Sequence, residues 1–486
     1  MKRTLDTLAN FINGEYQAPV SGLYLDNIEP ATGLVYGQIP DSDEQDLALA
    51  VDAAETAFPL WRDMPLEKRA DILYAIALEI EKNLDKLARA ESVDNGKPIR
   101  LAIQVDIPRA ASNFKFFANA CTQFASESHA MNSQAINYTL RQPLGIVACI
   151  SPWNLPLYLF TWKIAPALAA GNCVIAKPSE VTPKTAALLG EICQQAGLPK
   201  GVLNILQGRG AKIGSALCLH PKVKAVSFTG GTQTGAMIAS QLAPQFKKLS
   251  LELGGKNPAL IFDDCDFERT THEVFRAAFA NQGQICLCAS RIYIQRSIYQ
   301  KFKEALVEKA KKLIPSDPLQ ADCKMGALVS QEHLQKVKNY IELAKNEGAT
   351  LLAGGQQLQL SGRCAEGYFL EPTILEGLDN CARCNQEEIF GPVVILQPFD
   401  SEDEVVALAN DSQYGLASTI WTQDLNRAHR VAENVHTGIV WINCWLMRDL
   451  RTPFGGMNHS GVGREGGQEA MRFFTEPKNV CINYQY

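Results

Sequence analysis

Short apolar runs alternate with longer amphipathic runs from about Leu144 onward, and Gly or Pro separates one run from the next. The runs GIVACI, NCVIAKP, VLNILQG, AVSFTG and NPALIF read as buried strands, whereas TPKTAALLGEICQQAG and TGAMIASQLAPQF have helical spacing. This alternation is typical of a wound α/β sheet. Such sheets bind ligands at the carboxyl ends of their parallel strands, so we expect a site there.

The alternation starts again after Cys286, with RIYIQRS, VVILQPF, STIWTQ and IVWINC as candidate strands. A chain of 486 residues is too long for one compact core of ordinary size, so a second α/β unit is expected. The segment from about Cys121 to Arg141 and the tail FFTEPKNVCINYQY look like strands without a place in either sheet. We expect them to pair with another subunit.

The charge balance and the cysteines exclude several classes of partner. The chain has 46 Lys+Arg against 52 Asp+Glu and no long block of one sign, so neither nucleic acid nor a membrane surface is expected as a partner. The 14 cysteines are scattered through apolar runs, and no stretch reaches the ~20 apolar residues of a membrane span. We expect a soluble cytoplasmic protein.

Two further classes of site lack their sequence motifs. The 7 histidines show no ligand spacing, and CARC at 381–384 has no companion pair, so no metal is expected. No GxSxG motif of a serine hydrolase is present.

The glycine-rich stretches indicate a nucleotide only weakly. QGRGAKIG does not have the spacing of GxGxxG, and LGGKNP lacks the Ser or Thr of a P-loop. Gly230 and Gly231 in FTGG lie between a strand and a helix. Backbone amides at such a junction either bind a pyrophosphate or form a structural turn.

Three stretches contain candidates for chemistry, each with a structural alternative. Asn154, between the prolines of SPWNLP, either donates to an oxyanion or caps the next helix. Glu252 in LSLELGG either has a raised pKa, as a general base requires, or is a paired structural carboxylate. In FANQGQICLCAS, Cys286 and Cys288 are two small buried hydrophobes, or one of them is a nucleophile.

The motifs ISPWNLP, AKPSE, FTGG, LELGGKNP, FANQGQIC, EEIFGP and PFGGMNHSGVGRE occur in this order over nearly the whole chain. Their order and spacing resemble the NAD(P)-dependent aldehyde dehydrogenase superfamily. DIPRAASNFKFF and NCWLMRDLRTPFGG resemble its branch that oxidises 2-aminomuconic and 2-hydroxymuconic semialdehydes.

The resemblance implies an α/β fold with two wound α/β domains, a Rossmann-like cofactor domain and a catalytic domain, and a small β oligomerisation segment. It places the NAD-binding domain at residues 1–124 and 144–253 and the catalytic domain at 254–453. The oligomerisation segment is placed at 125–143 and 454–486, in a homodimer or homotetramer.

The resemblance also implies the catalytic residues. Cys286, which follows the G-Q-x triplet, attacks the aldehyde, and Cys288 packs nearby or traps an oxidised Cys286 as a disulfide. The Asn154 amide and the Cys286 backbone N–H hold the oxyanion, and hydride leaves for the nicotinamide. Glu252 activates the water that hydrolyses the thioester.

The implied cofactor is NAD. Lys177 and Glu180 resemble the pair that contacts the adenosine ribose, and a carboxylate there disfavours the 2′-phosphate of NADP. Glu388 and Phe390 resemble the pair that places the nicotinamide ribose and ring. The other residues assigned to the cofactor are Ile150, Ser151, Trp153, Ser179, Gly210, Phe228, Thr229, Gly230, Gly231, Thr234 and Leu253. Gly231 stands where many relatives have Ser, and Asn458 replaces a frequent Lys.

Arg109 and Arg451 match arginines that bind the substrate's carboxylate in the muconic semialdehyde branch, and Arg448 nearby is given a lesser role. The planar guanidinium suits this task because it binds a carboxylate bidentately. The alternative is that these arginines are solvated surface cations. A broad-specificity or betaine-type aldehyde dehydrogenase and a crystallin-like protein without turnover are the competing functions.

Overall fold

The computed structural model describes residues 5–484 of the chain. The strands, in chain order, are β1 (Asp6–Thr7), β2 (Asn10–Ile12), β3 (Glu15–Gln17), β4 (Tyr24–Glu29), β5 (Leu34–Pro40), β6 (Ser128–Met131), β7 (Ala135–Pro143), β8 (Ile146–Ile150), β9 (Cys173–Lys177), β10 (Leu203–Ile205), β11 (Val223–Thr229), β12 (Lys248–Glu252), β13 (Asn257–Ile261), β14 (Ala289–Gln295), β15 (Thr350–Ala353), β16 (Gln357–Leu358), β17 (Phe369–Leu370), β18 (Thr373–Glu376), β19 (Val393–Phe399), β20 (Ala417–Trp421), β21 (Ile439–Ile442), β22 (Gly461–Val462) and β23 (Thr475–Asn483).

The helices lie between these strands: α1 (Glu44–Arg62), α2 (Leu66–Lys82), α3 (Leu84–Asn95), α4 (Ile99–Leu101), α5 (Ile107–Gln123), α6 (Pro156–Ala169), α7 (Lys184–Gln195), α8 (Ser215–Leu219), α9 (Thr232–Leu242), α10 (Phe267–Phe279), α11 (Arg296–Lys312), α12 (Gln331–Asn346), α13 (Arg383–Gln386), α14 (Glu402–Asn410), α15 (Leu425–Asn434) and α16 (Gly467–Phe473). Several helices follow a capping residue whose side chain accepts a hydrogen bond from a backbone N–H of the first turn. Asp266 caps α10 in this way, and Ser330 caps α12.

The first sheet has the strand order β22-β12-β11-β8-β9-β10-β2-β3. Its central strands, from β12 to β10, are parallel. One hydrophobic core joins them to α1, α2, α5, α6 and α7, which is why β8 and β9 are buried at every position. The carboxyl ends of the parallel strands place Ile150, Lys177, Thr229 and Glu252 at one edge of this sheet.

The second sheet has the order β15-β18-β19-β14-β13-β20-β21 and is parallel except for β15. The link LGGK connects the carboxyl end of β12 to the amino end of β13. Cys286 lies just before the amino end of β14, the neighbour of β13. The carboxyl edge of the first sheet therefore lies next to the amino edge of the second.

The third sheet consists of β23, β7 and β6, and β23 pairs with β7 from Thr475 opposite Pro143 to Asn483 opposite Ala135. Because paired residues share a face and neighbours alternate, one mostly apolar face bears Ile136, Tyr138, Leu140, Val480 and Ile482, with Lys478 opposite Leu140. Leu140 is 40% exposed and Ile482 is 47% exposed.

The two wound sheets and the small third sheet confirm the predicted fold class. The domain boundaries stay a prediction, since the segment 454–486 also contains β22, which pairs with β12 of the first sheet. Within residues 5–484, no helix has the length and apolarity that crossing a membrane requires.

Candidate active site

A cavity of about 210 Å³ lies where the two sheets meet. Most of its lining residues are predicted from the sequence: Trp153, Asn154, Thr229, Gly230, Gly231, Leu253, Cys286, Glu388 and Phe390. Four others are not: Pro152, Gly254, His333 and Lys336.

Cys286 follows a tight turn in which residues 281–283 all have left-handed backbone, with φ of 49°, 58° and 69°. After the turn, Asn257 Nδ2 donates to the carbonyls of Cys286 at 2.6 Å and Cys288 at 3.0 Å. The Cys286 side chain lies on the cavity, whereas Cys288 is 8% exposed within the hydrophobic core. The geometry therefore favours Cys286 as the nucleophile.

The surroundings of Cys286 keep its resting form neutral. Burial raises the pKa of the Cys286 thiol, the carboxyl groups of Glu388 and Glu252 raise it further, and Arg448 acts in the opposite direction. The thiolate is the reactive form of a cysteine. Attack on a carbonyl therefore needs a base for the thiol proton or a cation that stabilises the thiolate.

Asn154 lies between β8 and α6. Its Nδ2 donates to the carbonyl of Gln284 at 2.9 Å, and its own carbonyl accepts from Asn281 Nδ2 at 3.1 Å. The residue before α6 is Leu155, and no side chain caps that helix. The capping alternative for Asn154 is therefore wrong, and the second N–H of its fixed amide is left for an oxygen in the cavity.

Glu252 is the last residue of β12 and is 3% exposed. Neither of its carboxylate oxygens has a hydrogen-bond partner within residues 5–484. Burial raises the pKa of Glu252 well above its ordinary value, and Glu465 raises it further, while Lys163, Arg448 and Arg464 lower it. The alternative of a structurally paired carboxylate does not fit this environment.

Glu252 is not one of the residues that line the cavity. Its Oε1 lies 2.6 Å from the position that a Cβ on Gly455 would take, so the glycine leaves the room that the carboxylate occupies. A buried ion pair between Lys163 and Glu465, at 2.6 Å, lies within electrostatic reach and also contacts Ser227.

Aromatic rings form one wall of the cavity. The ring centroid of Trp153 lies 5.2 Å from that of Phe390 and 5.0 Å from that of His333. His333 Nε2 donates to the Phe390 carbonyl at 2.7 Å, which holds Phe390 at a φ of 61°. Burial lowers the pKa of His333 to about 4, so its ring is neutral near pH 7.

Glu388 lies beside these rings. Its Oε1 accepts from the backbone N–H of Gly255 at 2.9 Å, and burial raises its pKa above the ordinary value. The other carboxylate oxygen is left for a hydroxyl in the cavity.

A second group of predicted residues lies at the carboxyl end of β9. Lys177 Nζ donates to Glu180 Oε2 at 3.1 Å, and the backbone N–H of Gly210 donates to Glu180 Oε1 at 3.1 Å. Burial by itself would raise the pKa of Glu180, but Lys177 and Gly210 outweigh it, so the pKa lies below its ordinary value. Glu180 is therefore an ionised acceptor.

The stretch between these two groups fits a pyrophosphate. The hydroxyl of Thr229 is buried and has no hydrogen-bond partner in the described chain. A Cβ on Gly231 would meet nothing within 4 Å, and α9 begins at the next residue with its first N–H groups unpaired. The edge of the first sheet thus provides an ionised acceptor, a helix N-terminus and an aromatic wall, which are the groups that a dinucleotide requires.

A wider cavity of about 1260 Å³ opens between α5 and the loop at 443–453 and is lined by Arg109, Arg448 and Arg451. The side chain of Arg451 is 80% exposed and is paired with Asp449 at 2.6 Å. Arg448 Nη1 donates to the Tyr158 hydroxyl at 2.5 Å, and its Nη2 is buried without a partner. In the chain as described, neither Arg109 nor Arg448 forms an ion pair with a carboxylate.

The sequence did not single out His333 and Lys336, and it gave Arg448 a lesser role than Arg451. The first two lie on the first turns of α12, where the only local signal is the Ser330 cap. The loop with the arginines contains no helix or strand, so no periodicity indicates which of them turns inward. Nothing in the described residues groups three or more potential metal ligands of the His, Cys, Asp or Glu type.

The fold and the cavity together define an enzyme with a dinucleotide cleft and a cysteine at its inner end. The profile of the Aldehyde dehydrogenase family matches residues 17–480, and the chain belongs to this family. It is therefore an oxidoreductase that acts on aldehydes.

Individual relatives cover nearly the whole chain. A mouse protein named 2-aminomuconic semialdehyde dehydrogenase is 49% identical over 99% of each chain. A 2-hydroxymuconic semialdehyde dehydrogenase from Pseudomonas sp. (strain CF600) is 44% identical over 98% of this chain and 99% of its own. The structure of an NAD+ complex of aldehyde dehydrogenase from Bacillus cereus has a TM-score of 0.96 at 38% identity, over 99% of this chain and 97% of that chain.

Proposed function

We propose that the protein uses NAD to oxidise a short unsaturated aldehyde that bears a carboxylate, such as 2-aminomuconic or 2-hydroxymuconic semialdehyde, to the corresponding dicarboxylate. Relatives with these substrates in their names cover nearly the whole chain. The observation that favours the carboxylate is the pair Arg109 and Arg448, two guanidinium groups that line one cavity and have no carboxylate partner in residues 5–484. The Arg448 charge also acts on the Cys286 thiol.

In the proposed reaction the Cys286 thiol releases its proton to water, with the Arg448 charge favouring the thiolate, and the thiolate attacks the aldehyde carbon. The Asn154 amide and the Cys286 backbone N–H donate to the oxyanion, which a preorganised pair of donors stabilises strongly. NAD, when bound, accepts the hydride that leaves this carbon. Cys286 is then held as a thioester, and Glu252 takes a proton from the water that hydrolyses it, which releases the acid and restores the thiol.

The residues assigned to the cofactor are supported by their positions. Glu180 and Lys177 would hold the adenosine ribose, Thr229, Gly230 and Gly231 the pyrophosphate, and Glu388 the nicotinamide ribose against Phe390. The other assigned residues lie at the ends of strands of the first sheet or in the segments that follow them: Ile150, Ser151, Ser179, Gly210, Phe228, Thr234 and Leu253. An ionised Glu180 accepts from ribose hydroxyls and repels a 2′-phosphate, so kcat/KM should favour NAD over NADP.

The carboxylate end of the substrate would lie at Arg109 and Arg448, with Arg451 nearer the rim of the same cavity. Guanidinium groups bind a carboxylate through paired, charge-assisted hydrogen bonds. A betaine-type substrate would instead place a cation against two arginines, which like-charge repulsion disfavours.

The test compares two aldehydes with the same six-carbon diene. Wild-type protein should have a kcat/KM for 2-hydroxymuconic semialdehyde that exceeds the value for 2,4-hexadienal, which lacks the carboxylate. Loss of one partner of a buried charge pair costs roughly 2 to 5 kcal/mol, and each ~1.4 kcal/mol is tenfold. Arg109→Ala should therefore lower kcat/KM for the carboxylate substrate at least about tenfold and leave kcat/KM for 2,4-hexadienal nearly unchanged. Arg448→Gln should lower kcat/KM for both aldehydes, because the Arg448 charge also lowers the pKa of the Cys286 thiol, but at least about tenfold more for the carboxylate substrate.

Two controls make this test decisive. Arg451→Ala shows whether Arg451 also binds the carboxylate, and Arg430→Ala removes a comparable exposed arginine, paired with Glu402 at 2.9 Å, outside this cavity. A wild-type preference for 2,4-hexadienal would disprove the substrate proposal and leave a broad-specificity aldehyde dehydrogenase.

Two further proposals concern the setting of the enzyme. The exposed apolar face of the third sheet supports a homo-oligomer, dimer or tetramer, in which this face is covered. A cytoplasmic location is supported by the 14 cysteines, all of which are free thiols.

A further inference from the structure

Arg109 and Arg448 both contact one side chain, Tyr158. The Arg109 guanidinium lies 5.6 Å from the Tyr158 ring centroid, and the Arg448 guanidinium lies 5.9 Å from it. Two cations that contact the same ring repel each other unless other groups hold them in place. Tyr158 is the group that both contact.

The Tyr158 ring has a fixed position between two helices. It lies in the first turn of α6 and is 6% exposed. The Tyr158 carbonyl accepts from Nδ2 of Asn113, a fully buried residue of α5 that also donates to Thr161 Oγ1 at 3.0 Å. Asn113 is one helical turn after Arg109, so the same contact fixes α5 and its arginine relative to the ring.

The Tyr158 hydroxyl determines which atoms of Arg448 are left for a ligand. It accepts from Nη1 at 2.5 Å, while the buried Nη2 has no partner in the described structure. The Arg448 charge also acts on the Cys286 thiol, and Tyr158 belongs to the same hydrophobic core as Leu287 and Cys288. A carboxylate on Nη2 would therefore bind the guanidinium group whose charge acts on the reactive sulfur.

We propose that Tyr158 is a positioning residue for substrate selection: its hydroxyl holds Arg448 and its ring supports Arg109, so that both guanidinium groups face one carboxylate. This inference rests on the proposed function, because the carboxylate is that of the semialdehyde. Tyr158 contributes nothing to the binding of an aldehyde that lacks this carboxylate.

The test removes one oxygen atom, in Tyr158→Phe, and keeps the ring. A hydrogen bond to a charged group contributes about 1.5 kcal/mol or more, so kcat/KM for 2-hydroxymuconic semialdehyde should fall about tenfold, through KM rather than kcat. Turnover of 2,4-hexadienal should stay within about twofold of wild type, which also shows that the variant is folded. Inhibition by 2,4-hexadienoate, which has the carboxylate and no aldehyde, should weaken by the same factor as KM.

A matched control is Tyr299→Phe, which removes a hydroxyl bonded to Glu376 at 2.8 Å on α11. This variant should leave kcat/KM for both substrates and inhibition by 2,4-hexadienoate unchanged. If Tyr158→Phe lowers kcat/KM equally for 2,4-hexadienal and for the carboxylate substrate, the role of Tyr158 is purely structural and the inference is overturned.

A double-mutant cycle tests whether Tyr158 acts through Arg448. In an Arg448→Gln background, Tyr158→Phe should have little further effect on the carboxylate substrate, whereas a full additional tenfold loss would contradict the positioning role. The two proposals fail differently. No preference for the carboxylate in wild type refutes the proposed substrate, and a wild-type preference that Tyr158→Phe retains refutes only the role of Tyr158.

Discussion

Cys286 and Cys288 have identical side chains two positions apart, and the backbone before them determines their different surroundings. Three consecutive left-handed residues at 281–283 and the two hydrogen bonds from Asn257 direct Cys286 to the cavity and Cys288 to the core. Asn154 and Glu252 differ from ordinary buried polar residues because each has hydrogen-bonding groups without a partner in the described chain. These groups are one N–H of the Asn154 amide and both carboxylate oxygens of Glu252.

The two cysteines should therefore respond differently to the same change. Cys286→Ser should abolish NADH formation from any aldehyde, because a serine hydroxyl is far less nucleophilic than a thiolate at neutral pH. Cys288→Ser changes only packing and should retain most activity. Steady-state turnover and alkylation by iodoacetamide, followed by peptide mass spectrometry, check both variants. Equal loss of activity in the two would contradict the assignment of Cys286.

Glu252 should matter for hydrolysis of the thioester rather than for hydride transfer. Glu252→Ala should give a burst of about one NADH per site and then stall, with the acyl group detectable on Cys286 by intact mass. In wild type the raised pKa of Glu252 means that its basic form appears only as pH rises, so steady-state kcat should increase with pH through that pKa. Steady turnover of Glu252→Ala near the wild-type rate would exclude this role.

Among the elements, the buried strands of both sheets were predictable from the sequence. Helices cover both faces of these strands, so both faces need apolar side chains and the sequence is continuously apolar. GIVACI and NCVIAKP became β8 and β9 for this reason. The loop that bears Arg448 and Arg451 was not predictable, since no regular period links its sequence to its inner face. His333 was missed because its role depends on the carbonyl of Phe390, 57 positions away in the chain.

The position of Cys286 depends on the turn at 281–283. Substitution of Gly283 tests this dependence. A Cβ on Gly283 would lie 2.2 Å from the Gly391 carbonyl oxygen, in addition to the strain of a φ of 69°. Gly283→Ala should thus lower both the free energy of unfolding and activity. Gly197→Ala, at a φ of 82° with nothing within 4 Å, should show only the backbone cost of about 1–2 kcal/mol.

Urea unfolding of the two glycine variants measures this difference. Gly283→Ala should lose more stability than Gly197→Ala, because the backbone of Gly391 cannot move aside as a flexible side chain does. Equal losses in the two variants would mean that the turn relaxes, and that the contact between residues 283 and 391 does not hold Cys286 in place.

At the scale of the whole molecule, two sheets form the cleft and the third sheet stands apart from their cores. Residues of β8, β9 and β11 lie in one hydrophobic core and residues of β13, β14 and β19 in another, while Ile482 and Leu140 of the third sheet remain exposed. Exposed apolar residues on one face of a small sheet are typical of a surface that another chain covers.

The alternation of faces along β23 provides a matched test of the proposed oligomer. Ile482 lies on the apolar face, and its neighbour Cys481, also exposed, lies on the opposite one. Ile482→Glu would bury an unpaired charge in a subunit contact on the apolar face, which costs several kcal/mol and should shift the protein toward monomer. Cys481→Glu introduces the same charge one residue away and should leave the assembly intact. Size-exclusion chromatography with light scattering measures the mass of each variant; a monomeric wild type, or equal dissociation in both variants, would show that the apolar face is not the subunit contact.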